Sequence, residues 1–298
     1  VTVNNSFIKA DGSVGEILEG SAMSKVPWVL GIETYGHVRT QMIAGYGSVT
    51  YKNTTLLSDG WGVLSTDSVG QPKNYGDLSV TLRVEDSTVD ITGTSGYGSY
   101  SIGACKNIFS NTVMGNTKYS TNKYGLTYAL IVANEYAGGE FINGTNVTSR
   151  YGVMYHQTQT GVTKVDNSTF NTQGANFLIK SCYPVINVSN SKLNSDAGVI
   201  VQLMTSDDPG MMGTFYSEAL DASATVKNQK FDIYHVNKTD TKIFNTDVKE
   251  AVSDAQVNLS SMDVKGDFYN SISGDKNQNL LLNFDKVNMT GVISSSNS

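Results

Sequence analysis

Three stretches of this 298-residue chain decide its fold: GTNVTSRYGVM (144–154), NSTFNTQGANF (167–177) and NSKLNSDAGVI (190–200). Their starting positions are evenly spaced along the chain, and each stretch carries an apolar residue at its fourth position, Val147, Phe170 or Leu193. A repeat of this length cannot bury an apolar face by itself, so copies must stack, with strand hydrogen bonds between neighbours about 4.8 Å apart. The spacing therefore predicts that these three side chains line one shared interior column.

The same pattern extends towards both ends of the chain. Residues 5–8 and 53–56 place Asn, a hydroxyl residue and an apolar residue at equal positions, and their separation predicts two coils of 24. Residues 262–264 recur as residues 287–289 at a spacing of 25. We therefore predict an all-β fold, a single-stranded right-handed parallel β-helix of roughly a dozen coils, with residues 1–298 as a single domain. Its hand follows from the general rule for parallel crossovers.

The composition supports short strands and tight turns, and it argues against several classes of function. Glycine is abundant at 29 residues and proline scarce at 4, which suits turns between strands. The net charge of −6 argues against a nucleic-acid partner, whose phosphates need a basic stripe. No apolar run of about 18 residues occurs, so no membrane span is expected. The chain opens at Val1 inside a strand pattern, which predicts an upstream signal peptide or domain and a secreted or cell-surface protein.

Cysteine and asparagine usage fit this picture. Cys105 and Cys182 are too few for a disulfide framework, and they are interpreted either as two buried thiols or as one disulfide. Several Asn-x-Ser/Thr sites recur at repeat positions, so we interpret them as turn chemistry and not as glycan acceptors.

The coils VEDSTVDITGTSGYGSYSIG (84–103) and VDNSTFNTQGANFLIKSCYPVINVSNSKLNSDAGVIVQLM (165–204) carry a family resemblance. They resemble the pectin-lyase-like right-handed β-helix proteins that bacteria secrete or display. That resemblance concerns the fold and covers nearly the whole chain. It implies that the protein is a polysaccharide lyase, a glycoside hydrolase, an adhesin or an autotransporter passenger, and the fold alone does not choose among these functions.

Polygalacturonase-like hydrolases of this fold use Asn-Thr-Asp, Asp-Asp, Gly-His-Gly and Arg-Ile-Lys, in that order. This chain has Asp207-Asp208, but its only comparable histidine, His37, precedes that pair, and neither Gly-His-Gly nor Arg-Ile-Lys is present. The departure argues against their mechanism. Adjacent carboxylates still serve acid/base work or bind a hard cation, although Asp-Pro-Gly is also ordinary turn chemistry. The full set of catalytic candidates is Asp207, Asp208, Arg150, His156 and Glu33.

Two of these candidates fall on predicted rows. Arg150, Gln173 and Asp196 share one repeat phase, so they are expected on three adjacent coils, either as a polar turn or as a groove for sugar hydroxyls. His156 shares a phase with Ile179 and Gln202, as a structural or an acid/base residue. A further polar strand alternates Glu33, Tyr35, His37 and Arg39.

Tyr-Gly pairs recur close to the coil period, among them Tyr97, Tyr124 and Tyr151. A column of such rings beside bare backbone suits the C–H faces of sugars, and the alternative is an internal aromatic stack. The predicted substrate-binding residues are Tyr151, Tyr155, Tyr124, Tyr97, Trp61, Gln202, His37 and Arg39.

From the sequence we expect a secreted or cell-surface protein that binds or processes extracellular polysaccharide, with a carbohydrate ligand. The alternative is a non-catalytic adhesin or structural surface stalk. Whether the protein is an enzyme stays open; an enzyme of this kind would be a glycoside hydrolase or a polysaccharide lyase. No metal-spaced His/Cys set, phosphate loop or redox pair occurs, so no cofactor is expected, with calcium left open.

Overall fold

The computed structural model describes residues 1–11, 39–59, 62–68, 80–93, 96–133, 137–156, 161–180, 182–204, 254–270 and 278–295. Within these ranges every regular element is a β-strand, and every strand pairing is parallel. No helix of the described chain is long and apolar enough to cross a membrane.

The strands, numbered β1 to β24 in chain order, form two large sheets. The first sheet contains nine strands: β1 (Thr2–Asn4), β4 (Gly47–Lys52), β7 (Val80–Glu85), β10 (Cys105–Ser110), β13 (Gly138–Ile142), β15 (Val162–Asp166), β18 (Val185–Ser189), β21 (Ala255–Lys265) and β23 (Leu280–Thr290). The second sheet contains fifteen strands: β2 (Phe7–Ala10), β3 (Gln41–Ala44), β5 (Thr55–Ser58), β6 (Gly62–Asp67), β8 (Thr88–Ile91), β9 (Tyr97–Ile102), β11 (Val113–Met114), β12 (Leu126–Ala133), β14 (Asn146–His156), β16 (Thr169–Thr172), β17 (Phe177–Lys180), β19 (Lys192–Ser195), β20 (Val199–Met204), β22 (Asp267–Asn270) and β24 (Ile293–Ser295).

The second sheet has two columns of strands, which the long strand β14 joins. The first half of β14 pairs with β11 and β16 in what we call the middle column, which also holds β2, β5, β8 and β19. The second half pairs with β12 and β17 in the outer column. The chain visits the first sheet, the middle column and the outer column in turn, and we call one such passage a rung. This connectivity is consistent with a parallel β-helix.

The core column predicted from the repeat is confirmed. Val147 pairs with Phe170, and Phe170 pairs with Leu193, on three consecutive rungs. All three side chains are buried in one hydrophobic cluster. The Phe170 ring lies edge-on to Phe141 at 4.9 Å between centroids and 5.9 Å from the Phe177 ring. The regular spacing in sequence thus becomes vertical packing, which is how a short repeat buries its apolar face.

Every described rung has a left-handed residue where the first sheet ends; on the first seven it joins that sheet to the middle column, and on the last two it lies inside β21 and β23. The residues with positive φ at this turn are Asn5, Asn53, Asp86, Asn111, Asn143, Asn167, Asn190, Ser261 and Lys286. Asn tolerates this conformation better than most residues, which explains its recurrence. The hydroxyl after it bonds locally and to the neighbouring rung, as when Ser168 N–H donates to Ser191 Oγ at 3.1 Å. The sequons at Asn53, Asn143 and Asn167 lie at this turn.

Part of the register differs from the prediction. The first sheet has nine strands within the described ranges, and the roughly dozen coils predicted for the whole chain stay a prediction. Ile8 pairs directly with Leu56, so the two segments that contain them are neighbours and not two coils apart. The extra length of that rung falls in residues 12–38, which lie outside the described part of the chain.

The register also slips by one position after the turn that follows the middle column. His156 pairs with Lys180, and Lys180 pairs with Met204, so His156 does not share a phase with Ile179 and Gln202. The reason is that paired positions in the outer column lie one position further apart in sequence than Val147, Phe170 and Leu193 do in the middle column.

Cys105 and Cys182 are both buried and are free thiols, which agrees with the first of the two interpretations. Burial raises the pKa of the Cys105 thiol to about 12.

Candidate functional site

The outward side of the outer column is not a free surface. Ile131, Met154, Leu178 and Gln202 each lie between two residues of the core, so strand alternation directs them away from it. Yet all four are buried. In contrast, the outward side of the middle column carries exposed polar residues, among them Asn146 and Asn194. The middle column therefore presents polar side chains that a ligand can reach.

A polar loop, which we call the strap (residues 115–125), leaves the middle column between β11 and β12. Its anchor is Asp90 on β8, whose side chain is buried. Asp90 Oδ2 accepts hydrogen bonds from Thr117 N at 3.1 Å, from Thr117 Oγ1 at 2.5 Å and from Ser120 Oγ at 2.5 Å. Near the end of the strap, Asn122 Oδ1 accepts from Tyr124 N and Gly125 N at 3.0 and 2.8 Å. The bonds to Asp90 hold the strap against the sheet, and those of Asn122 shape its end.

The end of the strap reaches a residue three rungs along the stack. Tyr124 Oη donates a short hydrogen bond to Asp196 Oδ2. Lys123 Nζ lies 3.0 Å from the same carboxylate oxygen and 3.0 Å from Tyr124 Oη. Its ammonium group also stands 4.8 Å from the centre of the Tyr124 ring. Side chains far apart in the sequence thus form one exposed polar group.

Asp196 continues a row that the repeat predicted. Gly174 N–H donates to the Arg150 carbonyl at 2.7 Å, and Ala197 N–H donates to the Gln173 carbonyl at 2.9 Å. Arg150, Gln173 and Asp196 are therefore equivalent positions on three consecutive rungs, as predicted. With rungs about 4.8 Å apart, the backbones of Arg150 and Asp196 are separated by about 10 Å. We call Lys123, Tyr124, Arg150, Gln173 and Asp196 the strap cluster.

An amide row on the middle column lies beside the strap cluster. Asn171 Nδ2 donates to Asn146 Oδ1 at 3.3 Å, and Asn194 Nδ2 donates to Asn171 Oδ1 at 2.9 Å. Each amide keeps further donor or acceptor capacity after these bonds. The surface next to the cluster is therefore rich in groups that pair with hydroxyls.

The protonation states of the cluster favour binding over proton transfer. Burial, followed by the hydrogen bond to Asp196, raises the pKa of Tyr124, so the phenol stays protonated at neutral pH and acts as a donor. Hydrogen bonds with Tyr124 and then Asp196 raise the pKa of Lys123, so this ammonium stays charged. The cluster contains one carboxylate, one guanidinium, one ammonium, one amide and one phenol.

Three of the other predicted aromatic residues, Tyr97, Tyr151 and Tyr155, lie inside the protein. Tyr97 pairs with Tyr128, and Tyr128 pairs with Tyr151, so these rings form one column. The Tyr128 and Tyr151 rings stack with centroids 5.4 Å apart. Tyr97 and Tyr151 are 0% and 2% exposed, which leaves no ring face for a sugar. The column is the internal aromatic stack that was the alternative.

Tyr124 does not belong to that column, contrary to its predicted phase. Tyr128, slightly later in the chain, takes the place, because the strap adds length to this rung. Of the remaining predicted binding residues, Tyr155 and Gln202 are buried, and burial raises the pKa of Tyr155. The Arg39 guanidinium Nε donates to Tyr97 Oη at 2.5 Å, which ties Arg39 to the interior stack.

Several predicted residues cannot be placed against the cluster. Asp207, Asp208, Glu33, His37 and Trp61 lie outside the described residues, and for His156 only the backbone is described. From the predicted set, Tyr124 contacts Asp196, and Arg150 occupies the position equivalent to Asp196 two rungs away. Sequence reasoning missed Lys123 and the anchor Asp90, although the polar run NTKYSTNKYG (116–125) interrupts the coil pattern and signals an insertion.

The chain matches no protein-family model, no curated protein and no solved structure. Within the described ranges, no three or more His, Cys, Asp or Glu side chains gather in a way that would hold a metal ion.

Proposed function

We propose that this chain is a secreted or cell-surface right-handed parallel β-helix that binds extracellular polysaccharide along the strap cluster. The observation that carries the proposal is the solvent-accessible row of Arg150, Gln173 and Asp196, which the strap residues Lys123 and Tyr124 complete across three rungs. The ligand would be a glycan chain that runs along the stacking direction.

The chemistry of the cluster supports a sugar ligand. A guanidinium and a carboxylate each make paired hydrogen bonds, which suit neighbouring hydroxyls on a ring. The half-buried Tyr124 ring offers apolar area with a polar tip, and the amide row of Asn146, Asn171 and Asn194 extends the hydroxyl-binding surface. The sheet holds the amide row, and Asp90 anchors the strap that carries Tyr124, so little ordering is needed on binding.

The cluster supports binding more than turnover. Glycoside hydrolysis uses two carboxyl groups about 5–5.5 Å apart in retaining enzymes, or about 6.5–9.5 Å apart in inverting ones. The strap cluster supplies one, Asp196. Turnover would need a partner from outside the cluster, and Asp207 and Asp208 remain the residues that the sequence predicts for it.

A non-catalytic adhesin or structural stalk is the second candidate. The observation that favours it is the extent of side-chain stacking that serves stability alone. The buried tyrosine column and the hydroxyl row at the first turn both join successive rungs without reaching a ligand surface.

Binding to a glycan panel by the full-length chain tests the proposal. Tyr124→Ala and Asp196→Asn each remove a group of the cluster, and we expect each to weaken binding by roughly 5- to 30-fold, the equivalent of one or two lost polar contacts. Tyr46→Ala is the matched control, because the Tyr46 ring is 77% exposed and lies at a turn away from the cluster.

Two results would reject this function. Binding that Tyr124→Ala and Tyr46→Ala weaken equally rules out the strap cluster as the site. A panel that shows no binding by the wild-type chain favours the stalk. Release of reducing or unsaturated sugars that Asp208→Ala abolishes would instead show an enzyme.

A further inference from the structure

A second groove opens where the stack changes shape, between rung 7 (β18, β19 and β20) and rung 8 (β21 and β22), with rungs numbered from the N-terminal end. Ser189 pairs with Ser260, and Val199 pairs with Asp267. Between these two pairs, rung 7 contains residues 190–198, whereas rung 8 contains only residues 261–266. Strand β19 therefore pairs with β16 but forms no ladder with β21, although both strands are fully described. Both rungs have a left-handed residue at the turn, Asn190 and Ser261, but rung 7 places nine residues over a span that rung 8 covers with six.

The mismatch leaves a surface groove of about 840 Å³. It is lined by Asn190, Ser191, Lys192, Ser261, Met262, Asp263, Lys286, Val287 and Asn288. We call it the step groove. Its volume lies in the range of ligand sites, about 300–1,000 Å³. Met262 is buried and Val287 partly buried, so they contribute apolar surface among polar groups.

The charged groups of the step groove face solvent. Lys192, Asp263 and Lys286 are exposed, and their side chains make no ion pair or hydrogen bond with any described residue. Two ammonium groups and one carboxylate give the groove a positive balance in a chain whose net charge is −6. Unpaired cations around a concave site favour an anionic ligand.

We propose that the step groove binds sulfate or phosphate ester groups on a glycan, an inference that rests on the polysaccharide-binding function proposed above. Lysine acts as a point charge with rotatable donors, which suits a tetrahedral oxyanion, whereas planar carboxylates are matched best by arginine. The described residues that line the groove include lysines and no arginine. Lys192 and Asp196 lie on one extended segment, about 13 Å apart, so one glycan chain spans both sites.

The test measures binding of the full chain to dextran, dextran sulfate, phosphorylated dextran and polygalacturonate at low and at physiological salt. We expect Lys192→Gln with Lys286→Gln to weaken binding of the two esterified dextrans by roughly 3- to 10-fold, the effect of two exposed ion pairs. Asp263→Asn removes a repulsive carboxylate and should tighten binding by about 2-fold. Circular dichroism checks that each variant folds.

The matched control is Lys9→Gln with Lys52→Gln, which makes the same charge change at two exposed lysines on rungs 1 and 2. Equal losses from both pairs show general charge attraction and overturn the inference. Tighter binding of polygalacturonate than of either ester also overturns it. Preference for the sulfated or the phosphorylated polymer supports it and identifies the ester.

This experiment can reject the step groove and the strap cluster independently of each other. If Tyr124→Ala weakens dextran binding while the Lys192 and Lys286 pair of substitutions changes nothing, the step groove is rejected and the proposed function stands. If the lysine pair matters and Tyr124→Ala does not, the strap cluster is rejected and the groove stands.

Discussion

Asp90→Asn tests how the strap is held in place. The Asp90 side chain is buried and makes four hydrogen bonds: one to the following backbone N–H of Ile91 and three to Thr117 and Ser120 of the strap. If this carboxylate fixes the strap, its replacement by an amide should release residues 115–125 while the stacked sheets stay intact.

The magnitude follows from which bonds an amide can keep. Asn has one acceptor oxygen, so either the Ile91 N–H or the Thr117 N–H must face the amide NH₂ group. The Thr117 and Ser120 hydroxyls rotate and keep part of their bonding. One orphaned backbone donor, together with the loss of charge-assisted bonds worth about 1.5–3 kcal/mol each, predicts a local cost of about 2–4 kcal/mol.

Limited proteolysis measures this cost, because trypsin can cut after Lys118 and Lys123 only when the strap opens. A local loss of about 2 kcal/mol raises the open population, and with it the cleavage rate, by about 30-fold. Asp86→Asn is the control: it is exposed, lies on the same rung, makes the same charge change and keeps a residue that tolerates its left-handed φ of 48°. Equal cleavage rates for the two variants would refute the role given to Asp90.

Three further predictions concern the core and the titrating groups. Phe170→Ala should lower the free energy of unfolding by about 3–5 kcal/mol in denaturant titrations. The control Phe7→Ala, at a ring that is 60% exposed, should cost about 1 kcal/mol or less. Similar losses from the two substitutions would contradict the core column. The Cys105 thiol, with its pKa raised by burial to about 12, should resist Ellman's reagent in the folded protein and react once urea unfolds it. Because folding favours the neutral thiol, its contribution is complete below the unfolded pKa of about 8.5 and declines as the pH rises from there towards about 12. The Ser189 hydroxyl is the main group that lowers the pKa of Asp166, so this carboxylate stabilises the fold above its ordinary pKa of about 3.9 and loses that effect as the pH falls through its lower folded value. Asp166→Asn should therefore flatten the acid limb of a stability-versus-pH curve, and an unchanged limb would rule this out.

The stacked fold was predictable because its determinants are local and repeated. An Asn followed by a hydroxyl residue favours a left-handed turn, and an apolar residue at a constant offset must face the interior of the next strand. These preferences recur from Asn5 to Asn190, so the column of Val147, Phe170 and Leu193 was legible in the sequence. The row of Arg150, Gln173 and Asp196 followed from the same period.

The candidate site was only half predictable, because an insertion breaks the period on which the prediction depends. The strap shifts Tyr124 out of the tyrosine column and lets Tyr128 replace it, so equal spacing in sequence was not equal height in the stack. The contact between Tyr124 and Asp196 joins residues 72 positions apart. No local preference encodes such a contact, since it depends on where the strap crosses the sheet.

By itself, then, the sequence determined the all-β stacked architecture, the turn chemistry and the residues that face the core, since each depends on preferences expressed over a short stretch of chain. The tertiary structure alone decided the slip in register at His156, the burial of the outward side of the outer column and the opening of the step groove. Those features are set by strand pairing between segments that are distant in the sequence, where a single insertion or deletion in a turn moves every side chain that follows.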